Sequence, residues 1–301
     1  MREIFVVPFY GALTCLFLVW GGVAIFTPMI VSQAAAEEPG KIKLDVPYEP
    51  SSEDVVEVML QMAQVNRNDL VYDLGCGDGR IVIGAAQKVG ARGVGVDLDP
   101  ERIKESQENA RRADVIDRVR FFQGDLFQTE IGEATVVMLY LWPEVNLKLR
   151  PKLLRELKPG TRVVSHSHDM GTWEAEQTVT ASNGHRVHFW VIPANVTGIW
   201  EWEMPREKKR YILNLSQQFQ KVSGTLQIGS DEVPVSNLKL RGDRLEFTAE
   251  GPSHGPVQNV HFMGRVQGHL LEGTSGEVAA GAQKRNWKAT RDASTMKPLD
   301  L

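Results

Sequence analysis

The chain has 301 residues, 42% hydrophobic and 24% charged, enough for one large or two ordinary domains with real cores. A formal net charge of -4 gives no electrostatic footing for nucleic-acid binding. The two cysteines, Cys15 and Cys76, exclude a disulfide framework and a cysteine-based zinc site.

From Ile4 to Val31 no residue is charged, a run of 28 residues. As a helix rising about 1.5 Å per residue it exceeds a hydrocarbon core of roughly 30 Å, which predicts an uncleaved membrane anchor. Ala34-Ala35-Ala36 also fits an A-x-A cleavage site, so a signal segment ending near Ala36, with export of the rest, is the alternative. Lys41 and Lys43 beyond the run favour a cytoplasmic catalytic domain. Residues 37–47 read as a polar linker.

A helix is predicted after Pro50, with Ser51 as cap, Asp54 at the capping-box spacing, and Val55, Met59 and Met62 on its core face. Then "LVYDL" (70–74), "RGVGVDL" (92–98), "VRFFQGD" (119–125) and "ATVVMLYL" (134–141) have the short, valine-rich texture of buried parallel strands. Residues 80–89, 101–113 and 145–157 between and after them have helix composition; Asp99-Pro100 supplies a cap and a first-turn proline. "TRVVSHS" (161–167) is a fifth strand, and Asn183-Gly184 joins two extended runs, 177–181 and 186–192, as a hairpin. The alternation predicts an α/β fold: a doubly wound, mostly parallel sheet ending in an antiparallel hairpin near Pro193. From Val196 eight short alternating segments, "GIWEWEM" to "RNWKATR", predict a C-terminal all-β antiparallel barrel or sandwich over 195–292, followed by a tail at 293–301. The first domain would span 48–194. "REKKR" (206–210) reads as a solvated loop or strand edge.

The glycine loop after the first strand, Gly75-x-Gly77-x-Gly79, fits neither a dinucleotide fingerprint, which needs glycine where Arg80 stands, nor a phosphate-binding Walker loop. Its bare backbone and the helix behind it suit an anionic group, while Asp73 just ahead adds an acceptor that a phosphate would not want. A ligand carrying both a carboxylate and a cationic amine fits that mixture. Asp97, at the end of the second strand, suits a ribose diol, and Asp125, after the third, suits an adenine amine. Three successive strand ends thus each deliver a carboxylate to the edge where such sheets bind ligands.

Together "DLGCGDGR", "GVDLDP", "GDLF" and the "LKPG" before the fifth strand resemble class I S-adenosylmethionine-dependent methyltransferases over roughly residues 46–193. "YEPSSEDVV" and "GCGDGRIVIGAA" look most like a bacterial group related to the mitochondrial protein-lysine methyltransferases of the ATP synthase c subunit and the adenine nucleotide translocase. The resemblance implies a Rossmann-like fold and S-adenosyl-L-methionine as cofactor. It implies methionine-part contacts at Gly75 and Gly77, an amine contact at Asp73, ribose at Asp97, and adenine at Leu98, Asp125 and the adjoining Leu126. Tyr48 and Ser52 would cover the cofactor, and Cys76 would be an apolar filler beside it. Tyr140, Trp142 and Pro143 fall where the family meets its acceptor. Two departures stand out: the helix after the fifth strand shrinks to "GTWEAE" (171–176), and a β-domain follows.

Tyr140, His166 and His168 are candidates to orient or deprotonate an acceptor. His166 and His168, at i and i+2 on a strand, would share a face; with Asp169 they read as cleft lining rather than a metal site. The expected activity is protein-lysine methylation at a membrane. Methylation of a small or lipid-like molecule, and a non-catalytic binding protein built around the β-domain, are the alternatives.

Overall fold

The computed structural model describes residues 48–204, 209–250, 259–278 and 283–299. The expected anchor or signal segment (1–36), the linker (37–47), most of the 206–210 basic run and the end of the tail lie outside the described residues. No helix among the described residues is long and apolar enough to cross a membrane.

Helix α1 (Glu53–Met62) precedes a repeated strand–helix pattern: β1 (Leu70–Leu74), α2 (Arg80–Val89), β2 (Arg92–Asp97), α3 (Pro100–Arg112) and β3 (Val119–Gln123). Then come β4 (Val136–Leu139), α4 (Pro143–Glu156), β5 (Arg162–His166) and the hairpin β6 (Gln177–Thr180) and β7 (Arg186–Val191). The sheet order is β3-β2-β1-β4-β5-β7-β6, parallel except that β7 runs against both of its neighbours. The chain winds outward from β1 in both directions, so the β1–β4 junction is the switch point where such sheets open a ligand crevice.

The central strands are buried on both faces, which is why they read as unbroken apolar runs. On one face α1, α2 and α3 pack Val55, Met59, Ile81, Val82 and Ile103 against Val71, Met138 and Val164. On the other, Val145, Leu149 and Leu153 of α4 meet Leu74, Val137 and Leu139. Asp99 caps α3 as its sequence predicts, its Oδ1 accepting the Glu101 N–H at 2.9 Å ahead of Pro100. The cap expected at Ser51 is absent: Ser52 occupies the N-cap position without a side-chain cap bond. Ser51 instead turns its hydroxyl inward to His166.

The second half is one antiparallel sheet, not two stacked ones. Its strands are β8 (Gly198–Met204), β9 (Lys209–Gln218), β10 (Lys221–Ile228), β11 (Asp231–Val233), β12 (Val235–Arg241), β13 (Arg244–Ala249), β14 (Val260–Gln267), β15 (Leu270–Glu277) and β16 (Arg285–Arg291). All eight expected segments are strands, and the short β11 adds a ninth. Order β11-β10-β9-β8-β16-β15-β14-β13-β12, with β10 approaching β12, nearly closes the sheet into a barrel. Its interior is filled by Trp200, Trp202, Phe247, Phe262 and Trp287.

The two halves touch where the helix after β5 is reduced, as the short "GTWEAE" stretch implies. Residues 171–176 form no helix, only a Met170–Trp173 bridge. The β9–β10 turn covers that gap: Phe219 stacks on Trp173 at 5.9 Å and joins the core of the parallel sheet beside Trp190. Arg150 lies over the Phe219 ring, 5.2 Å from its centre. Ion pairs Lys221–Glu174 and Arg241–Glu176 frame the contact.

Candidate active site

A cleft opens at the carboxyl edge of the parallel sheet, beside the β1–β4 junction. Tyr48, Asp73, Gly75, Cys76, Gly77, Asp97, Leu98, Asp125 and Leu126 all line it, as does Tyr140. The ends of β1 and β2 and the loop leaving β3 deliver the three carboxylates.

Asp73 lies one residue before the end of β1 and is 2% exposed. Its Oδ2 has no hydrogen-bond partner. Burial, reinforced by the nearby Asp97 and Asp78 carboxylates, pushes its acidity constant up to about 8. An unpaired buried carboxyl costs stability unless something cationic or donating meets it, so it marks a place built for a ligand's amine.

The glycine loop is shaped by Asp97, Tyr48 and Arg80. The Asp97 carboxylate accepts the Gly77 N–H at 2.8 Å and the Asp99 N–H at 3.0 Å, so it is already oriented before any ligand arrives. Gly77 has φ +52, and a Cβ there would meet the Tyr48 ring at 2.5 Å. Only glycine combines that backbone with that lid. Tyr48 in turn lies under the Arg102 guanidinium, 4.6 Å from its ring centre. Arg80 grips Asp78 with two nitrogens and donates to the Ser51 carbonyl at 2.7 Å, tying the segment before α1 down over the loop.

Asp125 holds its own turn, accepting the Phe127 N–H at 2.8 Å and Gln128 Nε2 at 3.1 Å. Cys76 is buried, and its thiol is pushed far up by burial and by Asp73, so it sits neutral beside the loop. Ser52 is not brought to the cleft: its hydroxyl donates to Asp54 while Asn183 Nδ2 donates to it at 3.1 Å, and Ser51 lines the wall instead.

Of the acceptor candidates, Tyr140 lines the cleft together with the Glu49 carboxylate. Burial and that carboxylate push its hydroxyl up to about 12, so at neutral pH it remains protonated and is no base. His166 stands directly behind it, ring centres 3.8 Å apart. His168 does not share this position. Ser167 takes a left-handed φ of 64° as β5 ends, which breaks the strand alternation that would have put both imidazoles on one face. Ser51, read from sequence as a helix cap, and Arg80, read only as a non-glycine, turn out to shape this region, and sequence reasoning does not single out Glu49 and His185; His185 reaches it only through the fold.

Residues 73–177 match the model of the ANTKMT methyltransferase domain. A protein-lysine N-methyltransferase of Saccharolobus islandicus is 45% identical over 151 residues, covering 49% of this chain and 94% of that protein. The chain belongs to the ANTKMT methyltransferase family. A human lysine N-methyltransferase named for the ATP synthase c subunit is 32% identical over 150 residues, half of this chain and 60% of that one. A Salinibacter ruber structure described as an RNA methyltransferase in complex with S-adenosyl-L-homocysteine is 53% identical, covering 49% of this chain and 96% of that one, with TM-score 0.48.

The protein is therefore a methyltransferase, and its cofactor is S-adenosylmethionine. The residues present fit that group. The orphaned Asp73 carboxyl suits its amine, the Gly75–Gly77 backbone its carboxylate, and the pre-set Asp97 its ribose.

Proposed function

We propose that this ANTKMT-family methyltransferase, built on a class I fold, transfers methyl groups to protein lysine, working at a membrane to which residues 4–31 anchor it. The observation that carries the lysine reading is the 45% identity to a relative named for that acceptor over nearly that relative's full length. The cleft agrees with it: beyond the cofactor residues its wall carries the Glu49 carboxylate and the Tyr140 hydroxyl, a setting that attracts an ammonium. The strand order, with β7 antiparallel beside β5, is the topology the class I resemblance implies.

When bound, S-adenosylmethionine supplies an already activated methyl on a sulfonium. The chain's task is alignment, dryness and removal of a proton. The glycine loop and Asp97 fix one partner, and Tyr48, held by Arg102 and by the Arg80–Ser51 tie, closes one side against water. Orientation of this kind supplies several kcal/mol, up to roughly 7–11 in favourable cases. Glu49 and Tyr140 hold the acceptor head, and a partly dry cleft lowers the proton affinity of a lysine amine.

Incubation of the purified protein with methyl-labelled S-adenosylmethionine and, separately, membrane-protein, RNA and small-molecule fractions tests this. Label in protein, mapped by mass spectrometry to methyl-lysine, is expected. Label only in RNA or only in a small molecule would overturn the acceptor.

A further inference from the structure

A continuous hydrogen-bonded chain runs from the cleft wall to the surface. Ser51 lines the cleft and is 3% exposed. Its Oγ lies 2.8 Å from His166 Nδ1. His166 is 1% exposed, and its Nε2 lies 2.8 Å from His185 Nδ1. His185 is exposed to solvent. We propose that Ser51, His166 and His185 form a relay that carries the acceptor's proton out of the methyl-transfer cleft. The inference rests on the lysine reading above, because a lysine ammonium must lose a proton before it can be methylated.

The fold holds this chain from four sides. In the antiparallel β5–β7 pair His166 faces Val187, so His185, two residues earlier, is its diagonal neighbour on the same face. The turn before β7 pins His185: its N–H donates to Asn183 Oδ1 at 3.0 Å, and its carbonyl accepts the Ala181 N–H at 2.8 Å. The same turn grips the segment carrying Ser51, through Ser182 to Asp54 and Asn183 to Ser52. The Tyr140 ring, tilted 31° against His166 with ring centres 3.8 Å apart, packs on the imidazole and limits its rotation. A buried histidine with both nitrogens bonded, one toward a cleft and one toward an exposed histidine, is more than core packing requires.

The proton inventory balances. His166 starts neutral, with its proton on Nε2 directed at His185 and its Nδ1 lone pair accepting the Ser51 hydroxyl. The acceptor ammonium gives a proton to Ser51 Oγ as the serine proton passes to His166 Nδ1. The His166 Nε2 proton passes to His185 Nδ1, and His185 releases its own Nε2 proton to water. One N–H bond is broken at the acceptor, one proton reaches solvent, and no electrons are exchanged. The steps reverse to reset the rings when product has left and the cleft stands open to water.

The groups around His166 suit transit rather than storage. Burial, with His185 and His168 nearby, holds its acidity constant down to about 4, against a small opposing pull from Asp54. Tyr140, on its other face, stays protonated. At neutral pH the ring is therefore an open acceptor that does not retain what it receives.

His185→Gln and Ser51→Ala test the relay, with methyl transfer to a lysine substrate followed from pH 7 to pH 10. His185→Gln changes only an exposed side chain, so its melting temperature and cofactor affinity should match the wild type. At pH 7 its kcat should fall at least about tenfold, a part of the roughly 10²–10⁴-fold that general acid–base groups contribute. The deficit should shrink toward pH 10, near lysine's ordinary value of about 10.4, where solvent itself supplies neutral amine. Ser51→Ala should show the same narrowing, and added imidazole should restore His185→Gly at pH 7. An unchanged kcat in His185→Gln, or a deficit equal at every pH, would overturn the relay while leaving lysine methylation standing. A wild-type protein that methylates no lysine at any pH would overturn both.

Discussion

Asp73 shows how a functional residue strains the fold that carries it. Its carboxyl is buried and unpaired, and its value of about 8 lies above the ordinary carboxylate value. The folded, cofactor-free chain thus holds a proton that the unfolded chain releases between about pH 4 and 8. Stability is greatest at the acid end of that window and is lost as pH rises through it. His166 acts in the opposite sense: held down to about 4, it refuses a proton that the unfolded chain accepts below about 6.5, so its contribution is lost as pH falls. That contribution is complete above about pH 6.5, which leaves pH 6.5–8 to Asp73. Wild-type denaturation midpoints should decline across this interval, and those of Asp73→Asn should stay level. Asp73→Asn should also weaken S-adenosylmethionine binding more than tenfold by calorimetry, since a neutral amide cannot pair with the amine. A declining midpoint in the variant would show that another group carries the slope. At Asp97, whose oxygens hold the Gly77 and Asp99 amides, an alanine should cost cofactor binding at least tenfold while the fold survives, the loss of such pairing being about 1–3 kcal/mol. Unchanged affinity would remove the ribose assignment.

Elements were legible where one local rule decided them. Valine-rich runs gave the parallel strands, Asp99-Pro100 gave the start of α3, and Asn183-Gly184 gave the hairpin, because period, cap and turn chemistry act over a few residues. The three carboxylates were legible for the same reason: a strand end followed by a bare loop has few uses at that edge. Competition between local and distant partners was not legible. Ser51 and Asp54 have the spacing of a capping box, yet the serine hydroxyl bonds His166, 115 residues away, and Asp54 is engaged by Ser52 and Ser182. The pairing of His166 with His185 follows from β5–β7 register, and the loss of His168 from one positive φ at Ser167; neither leaves a mark in sequence. The β9–β10 turn belongs with these. Phe219, 4% exposed, covers Trp173 and Trp190 over the stretch that "GTWEAE" leaves too short for the helix of related folds, a cover that the sequence of that stretch does not announce. Phe219→Ala should cost about 3–5 kcal/mol, read as a lower melting temperature for the whole chain. A loss under about 1 kcal/mol would mean that this turn rests on the sheet without contributing to its core.

At the scale of the molecule, the catalytic half has its own sheet and two helical layers, and 151 of its residues align with 94% of a relative that leaves no room for a barrel. A fragment of residues 40–194 should therefore fold and bind cofactor, but melt lower than the longer chain because Trp173 loses the cover of Phe219. An unfolded fragment would make the barrel part of the catalytic fold rather than an addition to it. If the 28 uncharged residues from Ile4 to Val31 anchor the chain as proposed, the larger question is which side of the membrane its catalytic half would face. S-adenosylmethionine is made in the cytosol, and a charged zwitterion does not cross a bilayer unaided. Lys41 and Lys43 follow the run within the distance over which flanking cations set orientation, whereas Glu37 and Glu38 contribute little to that rule. On these two arguments we propose that the catalytic half faces the cytoplasm, with the run retained as an anchor. The A-x-A triplet at 34–36 argues the other way, since cleavage there would export the enzyme from its cofactor supply. Reporter fusions at about residue 45, read together with the N-terminal sequence of the mature protein, separate the two. A cytoplasmic reporter on a membrane-bound chain that keeps residues 4–31 is the expected result. An exported reporter on a chain beginning at Glu37 would overturn the anchor and require S-adenosylmethionine to reach this cleft outside the cytosol.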